Sequence, residues 1–434
     1  MYPNLYYFFK DIFGVEWEGL KIINSFGFFV ALAFIAAAWI LTLELKRKQK
    51  QGLFVCTEQE IIVGKPASIS ELIIHFVLGF LLGFKILGGF FMANAFDDPQ
   101  QFIFSSQGNW LLGLLFGGLF TWLKWREKNK QKLATPEKRL LRIWPHDRVG
   151  DLVIYAAVFG FAGAKIFDIL EAPSAFFKML QAVKEGRQDA GSLLFSGLTF
   201  YGGLIVAAIA IMLYAKKHKI PIIHLVDATT PALMLAYAVG RVGCMVAGDG
   251  DWGIINSAFI SNDLGQSVVA TSEQFNAAMQ THSAYLTSRF GALDQVHFAH
   301  FSPILGLPNW LFAYTFPHNV ISEGIALAGC EGMHCNYLPL PVFPTPFYEL
   351  TACLILFLTL WSLRKKLKVP GQMAGLYLIF NGTERFFIEK IRVNATYNIA
   401  GMHITQAEII ALVMVILGAI LFLNAKKFFG KTKA

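Results

Sequence analysis

Three short stretches of this sequence place ionisable or hydroxyl-bearing side chains inside otherwise apolar runs. In AYAVGRVGCMVAGDGDWG, Arg241 stands among Gly240, Gly243, Gly248, Gly250 and Gly253, with Asp249 and Asp251 following. In NGTERFFIEKIRVN, Glu384, Arg385, Glu389 and Arg392 fall within one apolar stretch, and Arg385 and Glu389 share a helical face at a spacing of four. In LTFYGGL, Tyr201 precedes Gly202 and Gly203. A charge at the centre of a bilayer costs about 2.5–3.5 kcal/mol on insertion scales, so such residues need partners, water or a function. Each stretch also has a plainer reading: an arginine snorkelling to headgroups, a self-neutralised salt bridge, and an interfacial tyrosine anchor. The glycine cluster is not needed for an anchor. Glycines permit irregular backbone, which at membrane depth is tolerated only where it lines a cavity. An arginine fork suits phosphate oxygens, and a phosphate reachable from a membrane interior points to a phospholipid headgroup. The residues therefore suggest a protein that binds or processes an anionic lipid, at a site opening to the outside.

The elements that must position these residues are membrane helices. Hydrophobic residues make up 55% and charged residues 15% of the 434, mean hydropathy is +0.51, and a soluble domain carries about 25% charged residues. Nine stretches approach the roughly 20 apolar residues that a crossing requires: 24–44, 70–91, 107–124, 150–170, 199–215, 222–246, 347–363, 371–390 and 405–425. The fifth and sixth are short or interrupted. The expected fold is all-α and polytopic.

Basic clusters follow alternate spans: Lys46 to Lys50, Lys124 to Arg142, Lys216 to Lys219, Arg364 to Lys368, and the tail from Lys426 to Lys433. The positive-inside rule places all five on the cytoplasmic face, giving an outside N-terminus and an inside C-terminus. The net charge of +8 thus reflects loops beside spans and forms no nucleic-acid-binding stripe. Residues 1–23 lack a basic start and a cleavage site, and read as an aromatic arm on the outer surface rather than a cleaved signal.

Two segments lie between spans. Residues 125–149 read as a cytoplasmic loop with a helical turn or two, and 249–346 as an outside head. The head contains CEGMHC, whose Cys330 and Cys335 can pair in an oxidising compartment; the alternative is a metal pair with His334. An internal repeat is also visible. ELIIHFVLGFLLGFKILGG from Glu71 resembles DLVIYAAVFGFAGAKIFDI from Asp151, aligning Gly83 with Gly163 and Lys85 with Lys165. Each is followed by a loop and a glycine-rich span, NWLLGLLFGG or TFYGGLIVAA, as expected of a duplicated helix pair. Phosphate loops, dinucleotide fingerprints and metal motifs are absent, so no cofactor or metal is expected.

At the charged stretches the chain resembles the prolipoprotein diacylglyceryl transferase family. GRVGCMVAG at 240–248 is similar to the family signature, YGGL at 201–204 to its H-G-G-L segment, and FPTPFYE at 343–349 to its H-P-x-Q-x-Y-E segment. GQMAGLYLIFNGTERFFIEKIR at 371–392 resembles a further family segment. Order and spacing agree from about residue 150 onward, 24–50 fits the family's first span, and the helix pair at 70–124 is extra. The resemblance implies transfer of the diacylglyceryl group of phosphatidylglycerol to the lipobox cysteine of a prolipoprotein, releasing glycerol 1-phosphate. It also implies a multi-pass protein of the bacterial inner membrane, a site opening to the periplasm, a monomer, and no nucleic acid partner.

By the same resemblance Arg241 and Arg385 hold the phosphate, Glu389 orients Arg385, Asp249 steers the loop carrying Gly253, and Tyr201 stands at the position of the family's histidine. Gly202, Gly203, Gly240, Gly243, Cys244, Tyr348, Glu349, Arg392 and Lys165 complete the expected substrate-binding set. The thiolate is the nucleophile and belongs to the substrate. The chain departs from the family at Tyr201 in place of histidine, at Phe26-Gly27 in place of Tyr-Gly, and at Phe343-Pro344 in place of His-Pro. These departures favour, as the alternative, a non-catalytic relative that binds lipid or lipoprotein. A transporter is the third possibility, argued against by the large outside segment.

Overall fold

A computed structural model describes residues 1–92, 102–103, 105–187, 190–195, 197–304, 306–394, 396–399 and 402–430. Every one of the nine apolar stretches is helical. They form α1 (Ser25–Lys50), α2 (Ile69–Leu81, running on as a π-helical turn Leu82–Leu87), α3 (Trp110–Lys130), α4 (Val149–Glu171) and α5 (Phe200–Lys217). They continue as α6 (Ile222–Ala247), α7 (Thr345–Leu363), α8 (Gln372–Glu389) and α9 (Gln406–Phe429). Among the described residues, 7 helices are long and apolar enough to cross a membrane. The protein is mostly helical and its composition is that of a polytopic membrane protein. Not among the seven are α3, whose last turns carry Lys124, Arg126, Glu127 and Lys128, and α8, which carries Glu384, Arg385 and Glu389. The end of the basic tail, with Lys431 and Lys433, lies outside the described residues.

The chain divides into two compact units. One comprises Met1–Glu16, Ile23–Glu44 and Ile223–Lys433; the other comprises Trp17–Ile22 and Leu45–Ile222. In the first unit α8 packs along α9. Asp227 of α6 receives the Gly371 and Ala374 N–H groups at 2.9 and 3.0 Å. Asp227 therefore caps the orphan donors at the start of α8 from another helix, and fixes where α8 begins.

In the second unit the two helix pairs aligned by the sequence repeat share local geometry. A Cβ on Gly83 would lie 2.2 Å from the Leu112 carbonyl oxygen, and one on Gly163 would lie 2.5 Å from that of Gly202. The Asn109 N–H donates to the Phe84 carbonyl at 3.0 Å, and the Thr199 N–H to the Ala164 carbonyl at 3.2 Å. Both relations join positions matched by the sequence repeat, so α2–α3 and α4–α5 are two versions of one motif in which glycine lets two backbones touch. The aligned lysines differ. Lys85 Nζ donates to the carbonyls of Phe102, Ser105 and Gln107 at 2.9, 2.5 and 2.6 Å, whereas Lys165 Nζ binds Asp168 Oδ2 at 2.8 Å.

The fold is not wholly α. The segment expected to be a loop at 125–149 is helical to Lys130, and Glu137–Ile143 then forms a strand, β2. It pairs antiparallel with β1, Thr57–Val63, from Thr57↔Ile143 to Val63↔Glu137. Both strands are largely exposed, and Lys138–Glu60 and Arg142–Glu58 contacts of 3.3 Å cross the pair. Residues 249–344 fold around a cluster that includes Trp252, Phe275, Leu286, Phe316, Leu338 and Leu340, bounded by short strands and the helices Ser272–Thr281 and Ser283–Phe290. Cys330 and Cys335 are joined by a disulfide, so the metal alternative with His334 falls away.

Candidate active site

The end of α6 is set by two glycines. The helix stops at Ala247, Gly248 and Gly250 take φ of 64° and 95°, and side chains rarely tolerate that region. The chain thereby reverses and brings Asp251 back to Arg241, ten residues earlier. Asp249 Oδ1 accepts the Asp251 N–H at 3.3 Å, and the Thr345 hydroxyl donates to the Asp251 carbonyl at 3.0 Å. Gly253 bridges to Arg392, and a Cβ there would lie 2.5 Å from the Ile391 carbonyl oxygen. The turn after α6 is thus clamped between the start of α7 and the end of α8.

These elements gather three arginines from two helix ends and one following turn. Arg241 pairs with Asp251 and, through Nε, with Glu349. Arg392 pairs with Asp251 and with Glu349 Oε1 at 3.2 Å. Arg385 lies 3.6 Å from Glu349 Oε1 and 2.9 Å from Glu389 Oε2. Glu349 is the shared anion: its side chain is 0% exposed and it touches all three guanidiniums. Arg385 is the most open of the three, at 26% exposure against 15% for Arg241 and 12% for Arg392. Buried charges are stabilised when paired, and Asp251, Glu349 and Glu389 pair the three guanidiniums here. The cluster can hold a tetrahedral oxyanion at the open Arg385 edge while carboxylates keep the forks in place.

Most of the expected site residues converge here. Arg241, Arg385, Arg392, Glu349 and Glu389 are in direct ion-pair contact. Cys244 Sγ lies 3.6 Å from Arg241 Nη1, Gly240 and Gly243 flank Arg241 on α6, and Asp249 and Gly253 shape the turn. Tyr348, next to the hub, donates its hydroxyl to the Leu311 carbonyl at 2.5 Å, tying the start of α7 to the 249–344 segment. Arg392 was expected inside a span; α8 ends at Glu389, and Arg392 extends from the turn beyond it. Tyr201, Gly202, Gly203 and Lys165 belong to the second unit. There Tyr201 is exposed on the first turn of α5, Gly202 packs on Gly163 and Phe167, and Asp168, the partner of Lys165, abuts Gly197.

Three further residues join the cluster. Asp251 links Arg241 to Arg392, a role hidden because it needs the chain reversal at Gly248 and Gly250. Tyr237 places its ring 5.1 Å from the Arg241 guanidinium and its hydroxyl 3.5 Å from Nη2; its position four residues before Arg241 was the available signal. Glu384, seen in sequence only as one charge among four, is buried against the same group.

The sequence profile of the prolipoprotein diacylglyceryl transferase family matches residues 111–424. A phosphatidylglycerol–prolipoprotein diacylglyceryl transferase of Chlorobaculum tepidum is 28% identical over 232 residues, covering 52% of this chain and 56% of that protein. One from Leptospira interrogans is 25% identical over 260 residues, covering 59% and 55% respectively. One from Xylella fastidiosa is 22% identical over 294 residues, covering 64% and 77%. The chain spans a little over half the length of the first two relatives. The profile begins at residue 111, inside α3, and so takes in the second helix of the pair that the sequence repeat set apart. It covers well over half of the 434 residues and contains every member of the charged cluster: the chain belongs to the prolipoprotein diacylglyceryl transferase family.

Proposed function

We propose that this chain transfers the diacylglyceryl group of phosphatidylglycerol to the lipobox cysteine thiol of a prolipoprotein, forming a thioether and releasing glycerol 1-phosphate. The supporting observation is the meeting of Arg241, Arg385 and Arg392 on one buried carboxylate, Glu349, within the family match. The reaction develops charge on a leaving phosphate, and preorganised guanidiniums stabilise such charge without reorganising. Arg385, the open fork, meets the lipid phosphate first. Arg241 takes its second face, Glu389 and Glu349 orient both, and Arg392 closes the site from the turn. The thiol comes from the protein substrate, so Cys244 and Cys353, both buried, have no nucleophilic role.

On this reading all nine helices cross the bacterial inner membrane, with the basic clusters in the cytoplasm. The N-terminal arm and the 249–346 head lie on the periplasmic side, where the Cys330–Cys335 disulfide persists. The protein acts as a monomer without cofactor. A second reading, a relative that binds lipid or lipoprotein without catalysis, is favoured by Tyr201 at the family's histidine position. The test is complementation of a strain depleted of its own transferase. The wild-type chain restores lipidated prolipoprotein and Arg241→Ala does not. Normal lipidation by Arg241→Ala rejects this site, and failure of the wild type favours the second reading.

A further inference from the structure

The charged cluster holds one carboxyl more than its ion pairs use. Arg241, Arg385 and Arg392 are matched by Asp251, Glu349 and Glu389. Asp249, at the turn, accepts the Asp251 N–H, which leaves Glu384 as the carboxyl in excess. It lies on α8 beside Arg385, is 7% exposed, and neither of its oxygens has a hydrogen-bond partner among the described residues. It sits within electrostatic range of Arg241 and Arg385. An unpartnered buried carboxyl is costly. Its neighbours already have anions, so Arg241 and Arg385 offset it only at a distance and without an ion pair, and an alanine or leucine would fill the position more cheaply. A costly group at a charged centre is where function is sought.

We infer that Glu384 is the proton acceptor for the substrate thiol. This rests on the transferase reading. Glu384 takes the proton from the lipobox S–H. The thiolate forms the C–S bond to the glyceryl carbon as the C–O bond to phosphate breaks, and the electron pair leaves on the phosphate oxygen held by Arg241 and Arg385. The proton then passes from Glu384 to the glycerol 1-phosphate dianion, returning the carboxylate. Lipid binding prepares this step. The incoming phosphate draws on the guanidiniums that now offset Glu384, so the carboxylate is least stabilised, and most ready to take a proton, when the lipid is in place. Tyr201 then need not act as base, consistent with a phenol being a poor base at neutral pH.

The experiment compares two lipobox peptides, one with cysteine and one with selenocysteine, on purified full-length protein with phosphatidylglycerol. A selenol is ionised at neutral pH and needs no base. Wild type forms the thioether with the cysteine peptide and the selenoether with the selenocysteine peptide; no product from wild type with either peptide rejects the transferase reading itself. Glu384→Gln, which keeps size and hydrogen-bonding capacity, slows the cysteine reaction by about 10²–10⁴-fold, the usual contribution of a general base, and leaves the selenocysteine reaction within about threefold. Equal slowing of both peptides assigns Glu384 a structural role and overturns the inference, as does a variant as fast as wild type with cysteine. Should the glutamine variant fail to accumulate, Glu384→Asp replaces it. It raises the selenocysteine-to-cysteine rate ratio at least tenfold over wild type, and an unchanged ratio overturns the inference.

Discussion

Replacing Glu349 by glutamine tests the hub of the charged cluster. The side chain is 0% exposed and touches Arg241, Arg385 and Arg392. Breaking a buried ion pair by removing one partner costs about 3–5 kcal/mol, because a charge is left buried without compensation. Here each arginine keeps one other carboxylate: Asp251 for Arg241 and Arg392, Glu389 for Arg385. The cost therefore falls near the lower end, about 3 kcal/mol, equivalent to about two orders of magnitude. Part of it appears as lost stability and part as misplaced forks. Two assays separate them. A thiol-reactive fluorogenic dye follows exposure of buried Cys244 and Cys353 on heating, and thioether formation follows activity. Shared evenly between the two, Glu349→Gln lowers the unfolding temperature and slows the reaction about tenfold. Asp251→Asn, which contacts two arginines and is 27% exposed, does less in both. A Glu349→Gln variant with wild-type melting and activity within threefold refutes the reasoning, as does an Asp251→Asn variant that is the more damaged of the two.

Other consequences follow from packing and capping. Asp227→Ala removes both acceptors at the start of α8 and costs about 0.5–2 kcal/mol, read in the same melting assay; Asp227→Asn, keeping one acceptor, loses less. Gly163→Ala and Gly83→Ala each drive a methyl into a facing carbonyl and cost about 1–3 kcal/mol; the repeat geometry predicts that both destabilise, and a neutral result at one breaks the equivalence of the two helix pairs. Replacing Cys330 and Cys335 together by serine opens a short loop and costs about 2 kcal/mol, seen as earlier proteolysis of the 249–344 segment while the α6 to α9 helices stay protected.

What the sequence made legible follows the range of the interactions. Nine apolar runs announced nine helices because apolarity is read locally along each run, even in the short or interrupted fifth and sixth. The Arg385–Glu389 pair was legible because it is local to one helix face, and the Cys330–Cys335 link because both residues share one short loop. The glycine-rich end of α6 signalled an irregular turn. That Asp251 rather than Asp249 would meet Arg241 depends on the φ of Gly248 and Gly250, which spacing does not encode. The β1–β2 pair joins residues about 80 apart, and Glu137–Ile143 is half charged, so composition read it as a solvated loop. The hub role of Glu349 needed three helices to converge. Glu384 was visible as a charge, but its lack of a partner is a property of the packed structure alone.

The proposed reaction makes a thioether from phosphatidylglycerol and a lipobox thiol at the arginine cluster. The most direct measurement is mass spectrometry of a lipobox peptide incubated with the purified protein and phosphatidylglycerol. The expected result is a diacylglyceryl-peptide product with an equal amount of glycerol 1-phosphate, both lost in Arg241→Ala and Arg385→Ala. Lipid and peptide bound but unreacted by the wild-type protein, or product made at undiminished rate by both arginine variants, contradicts it.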